Sequence, residues 1–191
     1  NLNNLSHNIR NLANGGTILV KSNLTLAGGA TYATGKIIMT NGATGSFSGG
    51  SVDGQLIENY GTNSVTGGLS FTGNTYYRNR PGARTYFGGG SFVTGTAALL
   101  NESLVDGFGG VTINFTNRGT VLANDSLNRN LALGVYIQES GLTEASPGSL
   151  SGTLDILAGT LVGTNSISGS LRNAGLFTSG KPFGLLSITG N

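Results

Sequence analysis

Few residues in this 191-residue chain could carry acid–base, nucleophilic or metal chemistry. Its eight carboxylates are Asp53, Glu58, Glu102, Asp106, Asp125, Glu139, Glu144 and Asp155. Glu102 and Asp106, bracketing Ser103-Leu104-Val105, have a spacing that could face one groove, as a glycosidase or lyase dyad needs. Two solvated charges on a loop is the simpler reading and the one adopted. A polysaccharide lyase also needs clustered carboxylates around a cation and a basic proton acceptor, and no such cluster is legible. His7 is the sole histidine, so a triad or a histidine metal site would have to be built around it alone. The absence of cysteine removes thiol chemistry, disulfides and thiolate metal sites. Gly49 to Gly54 resembles a glycine–aspartate calcium repeat but occurs once, and Gly88-Gly89-Gly90 lacks the lysine–serine ending of a phosphate loop. No catalytic, cofactor-binding or metal-binding residue is therefore assigned, and the chain reads as a non-enzyme without a cofactor.

One constellation does suit binding. Asn74 to Gly90, NTYYRNRPGARTYFGGG, gathers Tyr76, Tyr77, Tyr86 and Phe87 with Arg78, Arg80 and Arg84. Guanidinium forks and aromatic faces suit surface glycans, anionic polymers or a protein neighbour, through stacking, cation–π contact and paired hydrogen bonds. The competing reading is a long corner loop whose aromatics pack over the wall of the fold while its guanidiniums are solvated.

Composition bounds the elements that must position these groups. Glycine is 34 of 191 residues against a usual share of roughly 7%, and charged residues are 9% against about 25%. Glycine without a three-residue period excludes collagen, and only 3 prolines argue against a disordered linker. A net charge of +2 with a pI of about 9.1 reflects scarce carboxylates and gives no nucleic-acid footprint. No apolar run approaches the roughly 20 residues that span a bilayer. A first residue that is not Met suggests a processed or excerpted chain, for which export is a natural reason. Residues 1–191 read as a single domain.

Short runs of alternating apolar and polar residues dominate, with turns every 8 to 12 residues or so, as in a many-stranded all-β protein. Val111 to Asn124 states the unit most clearly. Val111, Ile113 and Phe115 alternate with Thr112, Asn114 and Thr116, then Asn117-Arg118-Gly119 turns the chain into Thr120-Val121-Leu122. Equivalent corners are Asn14-Gly15-Gly16, Asn59-Tyr60-Gly61 and Asn173-Ala174-Gly175. Their separations of 45, 58 and 56 residues fit two coils of roughly 22 or three of roughly 19, as a single-stranded right-handed parallel β-helix requires. Stacked corners would let asparagines form hydrogen-bonded ladders while glycine eases each bend. An antiparallel β-sandwich is the alternative. Leu2, Leu5, Ile9 and Leu12, at spacings of three to four, predict a short helical turn over Asn1 to Ala13.

The strings FTNRGTVLAND (Phe115 to Asp125), GTLDILAGTLVGTNSISGSLRNAGLFTSG (Gly152 to Gly180) and FGLLSITGN (Phe183 to Asn191) resemble the repeat region of large secreted bacterial β-helix proteins, such as autotransporter passengers and haemagglutinin-like or planctomycete-type surface proteins. Ser146-Pro147-Gly148-Ser149-Leu150 is similar to the family's closing unit, while Lys181-Pro182-Phe183-Gly184-Leu185 departs from it by the inserted Phe183. The resemblance implies a parallel β-helix displayed outside a bacterial cell, and no catalytic residue. The expected function is an extracellular structural or adhesive module, continued by further coils of a parent chain or by self-association end to end into a fibre. The alternative is a carbohydrate-binding or carbohydrate-active β-helix of the lyase or tailspike kind.

Overall fold

A computed structural model describes residues 6–9, 11–127, 129–179 and 187–189, with backbone alone at 6–8, 89–92 and 187–189. The described residues form a single 24-stranded sheet in which every strand pair is parallel, coiled into a β-solenoid of about 9 turns. Each full coil presents three faces. The third coil shows the plan: Thr44–Ser48 lies on the first face, Gly50–Asp53 on the second and Leu56–Asn59 on the third. In the fourth coil Thr62–Thr72 bends across the first two faces and Tyr76–Asn79 occupies the third. The fifth repeats this with Arg84–Gly95 and Ala98–Asn101, although the register slips between Thr66 and Gly68 where the two long strands pair.

The register sets the core. On the third face Ile18, Ile37, Ile57, Tyr77, Leu99, Phe115, Tyr136, Leu154 and Leu171 stack one above another in successive coils. Alternation with a period of two turns these residues inward, and all from Ile37 to Leu154 are buried. Phe115 meets Tyr136 edge to face at 5.1 Å. Parallel pairing leaves both edges of the strands between the end coils bonded to neighbouring coils, so short runs that would be unstable alone are held by the stack.

Two expectations are corrected. No helical turn forms over Asn1 to Ala13 among the described residues: Ser6–Ile9 is a strand paired with Asn23–Leu26, and Leu12–Ala13 pairs with Thr31–Tyr32. The three-to-four spacing of Ile9 and Leu12 marks a corner between faces, and the backbone bonds a helix would make internally are made to the next coil instead. Residues 1–5 and 10 lie outside the described residues, as does the Lys181 to Leu185 unit. Val111 to Phe115 is likewise two strands, Gly109–Val111 and Asn114–Asn117, joined at a corner where the Thr112 amide donates to the Val93 carbonyl at 2.8 Å. Val111, Ile113 and Phe115 are all buried nonetheless, so one alternating pattern serves both sides of the bend.

Candidate functional site

The column that closes the third face is polar through its middle coils. In chain order it reads Val20, Met39, Asn59, Asn79, Asn101, Asn117, Gln138, Ile156 and Asn173. The four consecutive asparagines are completely buried. Asn59 Nδ2 donates to Asn79 Oδ1 at 2.9 Å, Asn79 Nδ2 to Asn101 Oδ1 at 2.8 Å, and Asn101 Nδ2 to Asn117 Oδ1 at 2.8 Å. These partners are 20, 22 and 16 residues apart, so Asn59 and Asn117 stand three coils from each other. The register puts Asn173 a further three coils along, past Gln138 and Ile156.

Backbone groups at the corner explain why an amide belongs there. Asn59, Asn79 and Asn101 donate from Nδ2 to the carbonyls of Arg84, Leu104 and Thr120 at 3.0, 2.9 and 3.0 Å. Their oxygens also accept locally, Asn59 Oδ1 from the Gly61 amide at 3.0 Å and Asn117 Oδ1 from the Gly119 amide at 3.1 Å. An aliphatic side chain would leave those buried groups unpaired. Gly61 and Gly119 are required by space and not by handedness: a Cβ on either would lie 2.2 Å from a carbonyl oxygen of the coil beneath, that of Ala43 or Ser103. Neither has a positive φ, so the corner is made without a left-handed residue at the glycine.

Asn14 and Gly16 lie at a different corner, between the second and third faces. Asn14 Nδ2 donates to Gln55 Oε1 at 2.8 Å, two coils away, and its Oδ1 accepts from the Gly16 amide at 3.2 Å. Asn173 and Gly175 keep the corner form, with Asn173 Nδ2 donating to the Gly175 carbonyl at 3.1 Å, but there the asparagine is exposed.

Buried hydroxyls extend the polar column inward. Tyr77 OH lies 2.7 Å from Thr85 Oγ1 and accepts from Asn63 Nδ2 at 3.0 Å, while Thr85 Oγ1 donates to Asn79 Oδ1 at 3.0 Å. Three coils on, Tyr136, Thr143 and Gln138 repeat the trio. Burial pushes the Tyr77 phenol up to about 12 despite the hydrogen bonds it makes, and raises Tyr136 for the same reason.

The arginine and tyrosine cluster is divided by strand alternation. Tyr77 and Phe87 are 1% exposed and belong to the core, so neither is available to a ligand. Tyr76 and Arg78 face outward on the third face, Arg80 stands at its corner, and Arg84 and Tyr86 face outward on the first face. The segment is thus two strands and a tight corner, not a long loop. Carboxylates of adjacent coils engage these cations. Glu58 binds Lys36 at 2.5 Å and Arg80 through its other oxygen, Arg80 reaches Glu102 at 3.2 Å, and Arg84 grips Asp106 with two bonds of 2.9 and 2.6 Å. Burial alone would raise the Glu58 carboxyl, but the hydrogen bonds from Lys36 and Arg80 hold it below its ordinary value. From Asn79 to Gln138 the residue following the ladder amide continues the pattern in alternating sign, Arg80, Glu102, Arg118 and Glu139, and Arg118 pairs with Glu139 at 2.6 Å. Arginine planes also lie over tyrosines: Arg80 over Tyr60 at 5.8 Å and Arg84 over Tyr86 at 5.5 Å.

Glu102 and Asp106 therefore each answer to a different arginine on a different face and form no dyad. Asp53, in the glycine-rich passage, accepts from Thr72 Oγ1 at 3.1 Å. The His7 side chain lies outside the described residues. Among the described residues no three histidine or carboxylate side chains converge as a metal site would need, and no helix is long and apolar enough to cross a membrane.

Sequence reasoning missed Asn79, Asn101 and Gln138. The first two sit in Asn-Arg-Pro-Gly and Asn-Glu-Ser corners, which lack the Asn-x-Gly form; the usable signal was an asparagine closing an alternating run about one coil from another. No protein family, curated protein or solved structure matches the chain.

Proposed function

We propose that this chain is an extracellular structural or adhesive β-solenoid module whose stack is continued by further coils, of its parent chain or of another copy. The observation that carries this reading is the use made of polar groups. All but one of the eight ion pairs among the described residues join adjacent coils, the exception being Asp125 with Arg129. The buried amide column does the same from inside. Side chains that in an enzyme would converge on a substrate are distributed along the axis as ties between coils. The resemblance of Gly152 to Gly180 to secreted bacterial repeats agrees with a place outside the cell.

A surface that a further coil could cover is offered by the last described strand of the first face, Leu176–Ser179. Phe177 aligns with the buried Leu161 of the coil beneath, yet it is 38% exposed, and its neighbour Leu176 is 63% exposed. Another coil laid on this strand would cover Phe177 and give Asn173 a partner. Sedimentation across a concentration series, with electron microscopy of the same samples, tests self-association. Rods longer than the roughly 45 Å of about nine coils are expected. A chain that stays a single-copy particle at every concentration would remove self-assembly from the proposal and leave continuation within a longer chain.

A further inference from the structure

The charges on the outer third face do not balance. Lys36, Arg78 and Arg80 face two carboxylates, Glu58 and Glu102. Both oxygens of Glu58 are taken, one by Lys36 and one by Arg80, and Glu102 Oε2 accepts from Arg80 Nη1. Arg78 is the cation held least closely, in a long ion pair with Glu102 alone. Its Nη2 lies 3.9 Å from Glu102 Oε2, too far for a hydrogen bond, and its Nε, like that of Arg80, is buried without a hydrogen-bond partner. The side chain is only 29% exposed, so water compensates it poorly. A half-desolvated guanidinium with unused donors attracts an anion.

The surroundings say what kind of anion. The Tyr76 ring lies beside the guanidinium, 6.0 Å from Cζ to centroid, and is itself partly exposed. Leu56 and Ala98, both partly exposed, continue the Tyr76 column in the coils below and above. The result is a flat, partly apolar strip with one aromatic ring and one cation in excess of the carboxylates. A flat strip favours a ring that can lie on it, and the charge favours a carboxylate on that ring.

We propose that Tyr76 and Arg78 form a binding site for an acidic saccharide, its carboxylate held by the Arg78 fork and its ring laid on Tyr76 and the Leu56–Ala98 strip. This deepens the adhesive part of the proposed function and rests on it. Fully extended sugar chains would run along the third face, where Glu102 and Arg80 border the strip.

The test is titration of the intact chain with an oligogalacturonate, with its fully methyl-esterified form, and with acetate, followed by calorimetry and by the Arg78 Nε–Hε resonance. The acid form should bind, shift that resonance, and bind about tenfold or more tightly than the ester. Arg78→Gln should weaken it by about tenfold or more, and Tyr76→Ala should weaken it without abolishing it. Arg172→Gln, a guanidinium paired with Asp155 elsewhere on the third face, should leave it unchanged. Binding of the ester as tight as that of the acid, an unmoved Arg78 resonance in the wild-type chain, or acetate binding as tightly as the oligosaccharide would each overturn the proposal. The resonance decides the matter in the unaltered chain even where a variant loses its fold. Failure to bind by a chain that still forms rods would sink this site and leave the scaffold reading standing.

Discussion

Removing one amide from the middle of the buried column should be disproportionately damaging. Asn101 Nδ2 serves Asn117 Oδ1, the Thr120 carbonyl and the Ser103 carbonyl, and its Oδ1 accepts from Asn79 Nδ2 and from the Ser103 amide at 3.1 Å. Asn101→Ala removes all of these in a site with no access to water. Some groups keep a second partner: Asn79 Nδ2 retains the Leu104 carbonyl, and Asn117 Oδ1 retains the Gly119 amide. The Ser103 amide and the Thr120 carbonyl lose their side-chain partner outright. At about 1–3 kcal/mol for each group left unpaired, the expected loss is roughly 2–6 kcal/mol, a large part of the 5–15 kcal/mol by which such domains are stable. The control is Asn173→Ala, at the same corner but exposed, where the loss should stay below about 1 kcal/mol. Denaturant unfolding followed by circular dichroism reads both. A cost for Asn101→Ala below about 1 kcal/mol, or no greater than that for Asn173→Ala, would refute the claim that the column ties the coils together.

Acid should weaken the fold in a defined window. The carboxyls of Glu58 and Asp125 are lowered on folding, Asp125 to about 2 by hydrogen bonds from Arg129, so their contribution is complete above the ordinary carboxylate range and lost as pH falls toward 2; thermal melts at pH 6, 4 and 2.5 should fall in that order. Alkali acts oppositely on the buried phenols. Tyr77 is raised to about 12, so its contribution is present below about pH 10 and lost between 10 and 12, and ultraviolet titration of the six tyrosines should show Tyr77 and Tyr136 ionising last, together with unfolding. Gly61→Ala should cost about 1–3 kcal/mol by driving a methyl onto the Ala43 carbonyl, whereas Gly15→Ala, with no atom near the new Cβ, should change stability by less than about 0.5 kcal/mol. The two urea midpoints check this pair.

The fold class was legible because two periodicities agree. Alternation in strings such as Leu154 to Leu157 gives the strand, and the return of Asn-x-Gly after 58 and then 56 residues gives three coils each time. What the sequence concealed was the individual coil. Lengths of 20, 22 and 16 residues between successive ladder asparagines break any fixed period, and Asn79 and Asn101 solve the corner without the glycine that advertises it. Asn14 carries the advertised motif at another corner, where Gln55 supplies the partner amide, because any bend that crowds the coil beneath it favours the same residues. The binding cluster was half legible. A period of two in Tyr76-Tyr77-Arg78-Asn79 already sends Tyr77 and Asn79 to one side and Tyr76 and Arg78 to the other, once the segment is known to be a strand. How closely each guanidinium is paired depends on carboxylates about 22 residues away, and the irregular coil lengths hide that register.

The side-chain amide protons of the column itself give the most direct test. Exchange of the Nδ2 protons of Asn79 and Asn101 with solvent deuterium, followed by nuclear magnetic resonance, should be slower than that of the exposed Asn173 by about a thousandfold or more, since each must wait for coils to separate. Equal rates at Asn101 and Asn173 would mean that water reaches the column freely and that the amide ladder does not hold the coils together.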